Sequence, residues 1–206
     1  MTTLVEHPIN EFSTIAPIYD ATQLPNRRKW TRADFARLDD NGERYELING
    51  ELVKKVGMNG PHANTILLLQ TALLQVFGIG YMVRMQLPLI VGDISQPEPD
   101  AAIAQGTPRD NPNDNPTSAL LAVEISDSTL ATDLGAKVAL YAQAEVAEYW
   151  VLDINARLLH VHRAPIASAS LPNGYGYQTI LLLTETDSVS PLAAPESSIA
   201  VADLLL

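Results

Sequence analysis

Charged residues interrupt the most apolar stretches of this chain, and this feature constrains its fold more than any other. Asp100 opens the segment DAAIA, Glu124 lies inside LLAVEIS, and Asp133 and Lys137 follow on the next segment. The neighbouring residues predict burial, and a buried ionised group costs several kcal/mol unless it is paired, changes its protonation state or holds a metal ion. The fold must therefore bring these charges to one another or to a ligand.

The composition predicts a soluble, cytoplasmic protein. None of the 206 residues is a cysteine, which excludes disulfides and thiolate metal sites in this sequence and is usual in a reducing compartment. The first residues lack the basic and apolar regions of a signal peptide, and the richest apolar run, ILLLQTALLQVF, is short and interrupted by glutamines. We therefore expect no membrane partner.

The charge balance argues against binding of nucleic acid through the protein's own charge. The chain has 13 lysines and arginines against 24 aspartates and glutamates, a formal net charge of −11. Because affinity for phosphate comes largely from lysine and arginine, a stable DNA-binding protein is disfavoured. A nuclease is disfavoured less, since divalent cations held by carboxylates reverse the local charge.

The pattern of apolar residues and turns predicts one domain of mixed α/β class around a single sheet. Residues 1–29 have scattered prolines and no sustained period, which predicts a partly ordered N-terminal arm, and residues 30–206 predict the domain. The domain contains a hairpin around Asn49-Gly50 and ends with antiparallel strands. The predicted helices span residues 31–38, 61–77 and 129–145, and the predicted central strands span 81–91, 100–104, 119–126 and 148–154.

Asp100, at the start of one strand, and Glu124, near the end of another, are candidate metal ligands. If the two strands lie side by side, both carboxylates converge on one point. Mg²⁺ and Mn²⁺ need only a few protein oxygens, so Asp100, Glu124 and the backbone carbonyl of Ile125 would suffice together with a substrate phosphate. A metal ion there would polarise the phosphate and activate a water molecule.

Lys137 has two explanations on spacing alone. It follows Glu124 by thirteen positions, on the next helix, which can turn it back toward the end of the strand. There it would stabilise charge that develops on a phosphate, or orient the attacking water. It also follows Asp133 by four positions, the spacing of an ordinary surface ion pair. The residues themselves leave both explanations open.

Glu46 and His62 are further candidates, each with a simpler explanation. Glu46 lies on the first hairpin strand, where a carboxylate usually faces solvent, and His62 lies near a helix start, where it would cap the helix or face solvent. Each would support the site only if the fold carries it to Asp100. His160 and His162 share one face of a late strand, but no third ligand has matching spacing, so a metal site there is disfavoured.

Several spaced motifs resemble one known family. They are YELINGELV at 45–53, PEPD at 97–100, LLAVEISDST at 120–129, Asp-x-x-x-Lys at 133–137 and YAQAEVAEYWVLD at 141–153. In this order they resemble the Uma-two family of restriction-endonuclease-like proteins, which belongs to the PD-(D/E)xK nuclease superfamily. The resemblance covers residues 31–206.

The resemblance implies a restriction-endonuclease-like αβββαβ core with a central mixed sheet, and it implies that Asp100 and Glu124 hold the metal ion. The wider superfamily has its lysine two residues after the glutamate, where this chain has Ser126. The family instead has the lysine on the following helix, which implies a catalytic role for Lys137. Glu46 matches the front glutamate of the family. A departure occurs at 145, where a glutamate stands in place of the glycine that the family often has.

The sequence therefore predicts an endonuclease that depends on Mg²⁺ or Mn²⁺ and hydrolyses phosphodiester bonds, with DNA as its substrate. Two alternatives stay open: an interaction protein that has kept the fold without catalysis, and a hydrolase of small phosphoesters, which would suit an acidic surface better. A homodimer is expected from the apolar end VADLLL and from the two sites that cutting a duplex requires. The predicted catalytic and supporting residues are Glu46, Asp100, Glu124, Lys137, His62 and Asp133.

Overall fold

The computed structural model describes residues 19–20, 29–39, 42–55, 57–171 and 173–206. Most of the predicted arm over residues 1–29 lies outside these ranges. None of the helices in these ranges combines the length and the hydrophobicity that spanning a lipid bilayer requires.

From the first helix onward the helices and the longer strands follow the predicted order of helix, hairpin, helix, three strands, helical crossover and final strands. In chain order the elements are β1 (Tyr19–Asp20), α1 (Arg32–Phe35), β2 (Leu38–Asp39), β3 (Tyr45–Ile48), β4 (Glu51–Lys54), α2 (Gly60–Val76), β5 (Tyr81–Met85), β6 (Ala101–Gln105), β7 (Leu121–Ser126), α3 (Leu130–Asp133), α4 (Ala136–Gln143), β8 (Glu148–Asp153), β9 (Leu158–Ala167), β10 (Tyr175–Thr184), β11 (Ser188–Val189), β12 (Ile199–Ala200) and a final 3-10 helix (Val201–Leu204).

A six-stranded mixed sheet forms the centre of the fold, in the order β10-β9-β8-β7-β6-β5. Within this sheet only β7 and β8 are parallel, and the other four neighbouring pairs are antiparallel. A parallel pair needs a crossover connection, which α3 and α4 supply here. The prediction of a mixed α/β fold around one sheet is confirmed.

The predicted N-terminal hairpin is also confirmed. Strands β3 and β4 pair in antiparallel fashion across Asn49-Gly50. Both turn residues have positive φ, 52° at Asn49 and 81° at Gly50, which is the backbone of a two-residue hairpin turn and the reason why this dipeptide favours it.

Three predicted elements differ from the observed ones. Helix α1 covers only four residues of the predicted 31–38. The predicted strand 81–91 ends at Met85, because Gln86 has a φ of 51°, which breaks the extended backbone. The predicted helix 129–145 is two helices separated at Gly135, whose φ and ψ of −114° and −95° are not helical.

The departure at position 145 does not prevent the turn before β8. Glu145 adopts a φ of 56°, in the left-handed region that glycine enters most readily. The turn therefore forms with a glutamate in a backbone conformation that disfavours it.

Buried apolar residues cover both faces of the sheet. One cluster packs α2 and the C-terminal segment against the sheet, and the other packs α4 against its opposite face. The C-terminal Val201, Leu204 and Leu205 belong to the first cluster, and each is at most 7% exposed. This segment serves the protein's own core, so the expectation of a dimer loses that support.

Candidate active site

Five charged side chains are buried where β3, β6, β7 and the crossover helices meet, and each is at most 7% exposed. They are Glu46, Asp100, Glu124, Asp133 and Lys137. The sequence predicted burial for the last four, and the structure confirms it.

Lys137 is the cation at the centre of this group. Its Nζ lies 2.9 Å from Glu124 Oε1, 3.5 Å from Glu46 Oε2 and 3.5 Å from Asp133 Oδ1. Burial opposes its charge, but the three carboxylates outweigh burial and raise the pKa of Lys137. The explanation as a surface pair with Asp133 is therefore wrong: the pair exists, but it is buried and shares its lysine with the strand carboxylates.

The sheet register brings the two candidate metal ligands together. Ala101 on β6 pairs with Val123 on β7, so Asp100 and Glu124 are the next facing positions, just beyond the start of β6. The N–H of Ile125 donates to Asp100 Oδ2 at 2.8 Å, which ties the two strand ends to each other. Asp100 Oδ1 lies 3.3 Å from both His62 Nε2 and Gln86 Nε2.

The two carboxyl groups have opposite electrostatic environments. Burial alone would raise the pKa of Asp100, but hydrogen bonds from His62 and from the N–H of Ile125 outweigh it and lower that pKa. Burial raises the pKa of Glu124, and Lys137 limits the rise. Asp100 therefore holds its negative charge more firmly than Glu124 does.

Tyr141 is a member of the site that the sequence did not single out. Its hydroxyl donates to Glu124 Oε1 at 2.7 Å, and its side chain is fully buried. Tyr141 follows Lys137 by four residues on α4, so the two face the same side of the helix. That spacing from a buried lysine is the signal that identifies it.

Glu46 reaches the site because the hairpin is fastened beside the segment that leads to β6. Leu47 and Gln96 form a bridge with two backbone hydrogen bonds. Glu46 Oε1 accepts from the N–H of Glu98 at 2.7 Å and lies 3.6 Å from Lys55. The explanation of Glu46 as a solvent-facing carboxylate is therefore wrong.

His62 lies beside Asp100, but it does not cap α2, because the cap residue is Asn59. Its backbone N–H donates to the Asn59 side chain at 3.0 Å, within the N-terminal cap of α2. Its ring is half-buried and contacts Asp100, and this hydrogen bond raises the pKa of His62.

Apart from Tyr141, these side chains line a cavity of about 510 Å³ that also includes Ile125. Its charged lining residues are seven carboxylates and four cationic side chains. They are Glu43, Glu46, Glu98, Asp100, Glu124, Asp127 and Asp133, and Arg44, Lys54, Lys55 and Lys137. The cavity therefore has an excess of negative charge, which favours a cation and opposes a phosphate on its own.

Across the described ranges, no group of three or more histidine, aspartate or glutamate side chains is arranged to hold a metal ion. This includes His160 and His162. The His162 ring instead packs between Tyr149 and Tyr177, with centroid distances of 5.7 and 5.8 Å, and neither ring nitrogen has a hydrogen-bond partner.

Comparison with known proteins gives one family and one fold. Residues 32–202 match the family described as "Uma2: Putative restriction endonuclease". The fold resembles the crystal structure of "a putative nuclease belonging to DUF820" from Anabaena variabilis ATCC 29413, with a TM-score of 0.60 and 17% sequence identity, covering 84% of this chain and 96% of that chain. No curated protein matches.

Proposed function

Because this chain belongs to the Uma2 family, we propose that it is an endonuclease that depends on Mg²⁺ or Mn²⁺ and hydrolyses phosphodiester bonds in DNA. One observation carries the proposal: Asp100, Glu124 and Lys137 are buried together at the ends of two strands, and all three line one cavity. Buried charges of this kind lower the stability of the fold, so their place beside a cavity indicates a catalytic or ligand-binding role.

The donors at the strand ends fit a hard divalent cation. Both are carboxylates, and within the described residues Glu124 Oε2 has no hydrogen-bond partner. The N–H of Ile125 faces Asp100. Because the N–H and the C=O of one strand residue point to the same neighbouring strand, the carbonyl of Ile125 faces Asp100 as well. Mg²⁺ keeps several waters and needs only one or two carboxylates. We propose Asp100, Glu124 and the Ile125 carbonyl as its ligands.

The protein's own residues would prepare the site in two ways. Tyr141 and Lys137 both bond Glu124 Oε1, which leaves Oε2 as the oxygen available to a cation. The ammonium group of Lys137 stabilises negative charge that develops on the phosphate, and it acts as a cation and not as a base because the surrounding carboxylates hold its proton. When bound, the metal ion supplies polarisation of the phosphate and a more acidic water molecule.

The charge of the cavity favours a metal-dependent reaction. Its carboxylates outnumber its lysines and arginines, so a phosphate group enters at low cost only after a divalent cation has reduced that excess. We expect DNA binding without metal to be weak.

A cleavage assay tests this function directly. The protein is incubated with supercoiled plasmid, single-stranded DNA and bis-(p-nitrophenyl) phosphate, in Mn²⁺, Mg²⁺ or EDTA. We expect metal-dependent nicking that Asp100→Asn and Lys137→Ala abolish. Glu185→Gln is the matched control, because Glu185 pairs with Arg157 on the exposed surface, and it should cleave like the unchanged protein.

A calorimetric titration with Mn²⁺ tests the ligand set separately. Asp100→Asn should abolish the binding heat, and Glu185→Gln should keep it. Binding that is unaffected by Asp100→Asn would reject the proposed ligands. Cleavage of the small phosphodiester alone would reject DNA as the substrate, and no cleavage in any arm would reject the enzyme and favour an interaction protein.

A further inference from the structure

The edge of the central sheet formed by β10 has no strand beside it within the described residues. β10 is the last strand of the six, and each of its residues except Gln178 pairs with a residue of β9. Its outer edge therefore presents a row of backbone N–H and C=O groups that can accept another strand.

The side chains of β10 do not protect this edge. Its sequence, YGYQTILLLT, contains no charged residue and no proline. Ile180, Leu181 and Leu182 are 61%, 37% and 56% exposed, and successive side chains point to opposite faces, so both faces are apolar. Proteins usually protect an edge strand with charge, proline or a bulge. The short β4 follows that rule, since it begins at Glu51 and ends at Lys54.

We propose that β10 is a self-association surface, on which β10 of a second copy of this chain adds in antiparallel orientation. Two identical strands related by a two-fold axis are complementary by construction, because every contact between residue i of one copy and residue j of the other is repeated between j and i. The resulting pair would join two six-stranded sheets into one continuous sheet.

The absence of charge on β10 supports a second copy as the occupant. Two chains that each carry a formal charge of −11 repel each other, and an uncharged strand is where identical copies approach with least repulsion. A charged partner would find no opposite charge on β10 to recognise. Pairing also buries Ile180 and Leu182 on one face and Leu181 on the other, which removes apolar surface from water.

The surface is separate from the candidate active site. β10 lies three strands away from β7, and none of its residues lines the cavity. Self-association would therefore leave the cavity open, and the test of this inference does not depend on whether the protein cleaves DNA.

Sedimentation velocity of the full chain over a range of concentrations tests the inference. We expect a monomer–dimer equilibrium, and we expect Ile180→Lys and Leu182→Lys to sediment as folded monomers. Leu67→Lys is the matched control, because Leu67 is 59% exposed on α2, and it should dimerise like the unchanged chain. A monomer at every concentration, or lysine variants that still dimerise, would overturn the inference.

A cysteine scan gives a second, independent measurement. The sequence has no cysteine, so single substitutions at positions 178–182 each introduce one thiol. Under mild oxidation the disulfide-linked dimer should form most readily at the position nearest the two-fold axis and less readily on either side of it. Leu67→Cys should give little linked dimer. Equal linkage at Leu67 and throughout β10 would reject the pairing, even if the lysine variants fail to fold.

Discussion

Replacing Lys137 with methionine should destabilise the protein strongly, because it removes the cation that three buried carboxylates share. Glu124, Glu46 and Asp133 all lie within 3.5 Å of its Nζ. Lys55 lies 3.6 Å from Glu46 and still compensates it, so the substitution leaves Glu124 and Asp133 without their cation, and each must keep an unpaired buried charge or take up a proton. Removing one partner of a buried ion pair costs about 3–5 kcal/mol. This is a large part of the roughly 5–15 kcal/mol that stabilises a typical domain.

Urea unfolding in EDTA, followed by tryptophan fluorescence, measures this loss. Trp150 is fully buried in the core and reports on unfolding. The matched control is Lys54→Met, because Lys54 forms an exposed pair with Glu43, and such pairs contribute little, so we expect no measurable loss.

A second substitution shows whether the loss is electrostatic. Adding Glu124→Gln to Lys137→Met replaces one of the two carboxyl groups left without a cation by a neutral amide, and we expect the double variant to recover about 0.5–3 kcal/mol. The reasoning would be refuted if Lys137→Met cost less than about 1 kcal/mol. It would also be refuted if the double variant lost as much stability as Lys137→Met and Glu124→Gln lose in sum when each is made alone.

Four further predictions concern other parts of the chain. Burial lowers the pKa of His162 to about 4, against about 6.5 in the unfolded chain, so the unfolded state takes up the proton first. The free energy of unfolding should therefore fall as the pH drops from about 6.5 to 4, and His162→Phe should remove that part of the fall in urea titrations at each pH. Gly135→Ala places a β-carbon 2.6 Å from a carbonyl oxygen of α3 and should cost about 1–3 kcal/mol in the same assay; an unchanged midpoint would contradict the contact. Glu145→Gly removes a side chain from a backbone with a φ of 56° and should raise the melting temperature by about 2–4 °C, whereas a decrease would show that no strain is stored there. Tyr141→Phe deletes the hydroxyl that donates to Glu124, and it should cost about 1–3 kcal/mol in thermal unfolding and weaken Mn²⁺ binding by calorimetry.

Local sequence signals predicted the architecture well where one physical cause dominates. The hairpin at Asn49-Gly50 forms because both residues accept positive φ, and α2 begins at its asparagine cap and a nearby proline. The crossover was predicted as one helix because its apolar periodicity continues through Gly135. Its division into α3 and α4 depends on a close approach to the backbone of the preceding turn, which periodicity does not report.

The site was predicted only in part, for a similar reason. Asp100, Glu124 and Lys137 were identified because a charge inside an apolar segment needs compensation. That pattern can be recognised from the sequence without a structure. The participation of Tyr141 could not be predicted from the sequence. A buried tyrosine on an apolar stripe has the same local pattern whether or not its hydroxyl bonds a carboxylate. Glu46 and His62 were ambiguous because their spacing along the chain contains no information about distance to β6.

The residues alone showed that a few buried charges had to be compensated, and their motifs showed which family the chain resembles. The way in which these charges are compensated follows from the packing of the strands and helices. The register of β6 on β7 sets Asp100 beside Glu124, and the docked hairpin adds Glu46 to a lysine that already serves Asp133. The reason is physical: the energy of a buried charge depends on distances of 3–4 Å to groups far away in sequence, and only packing fixes those distances.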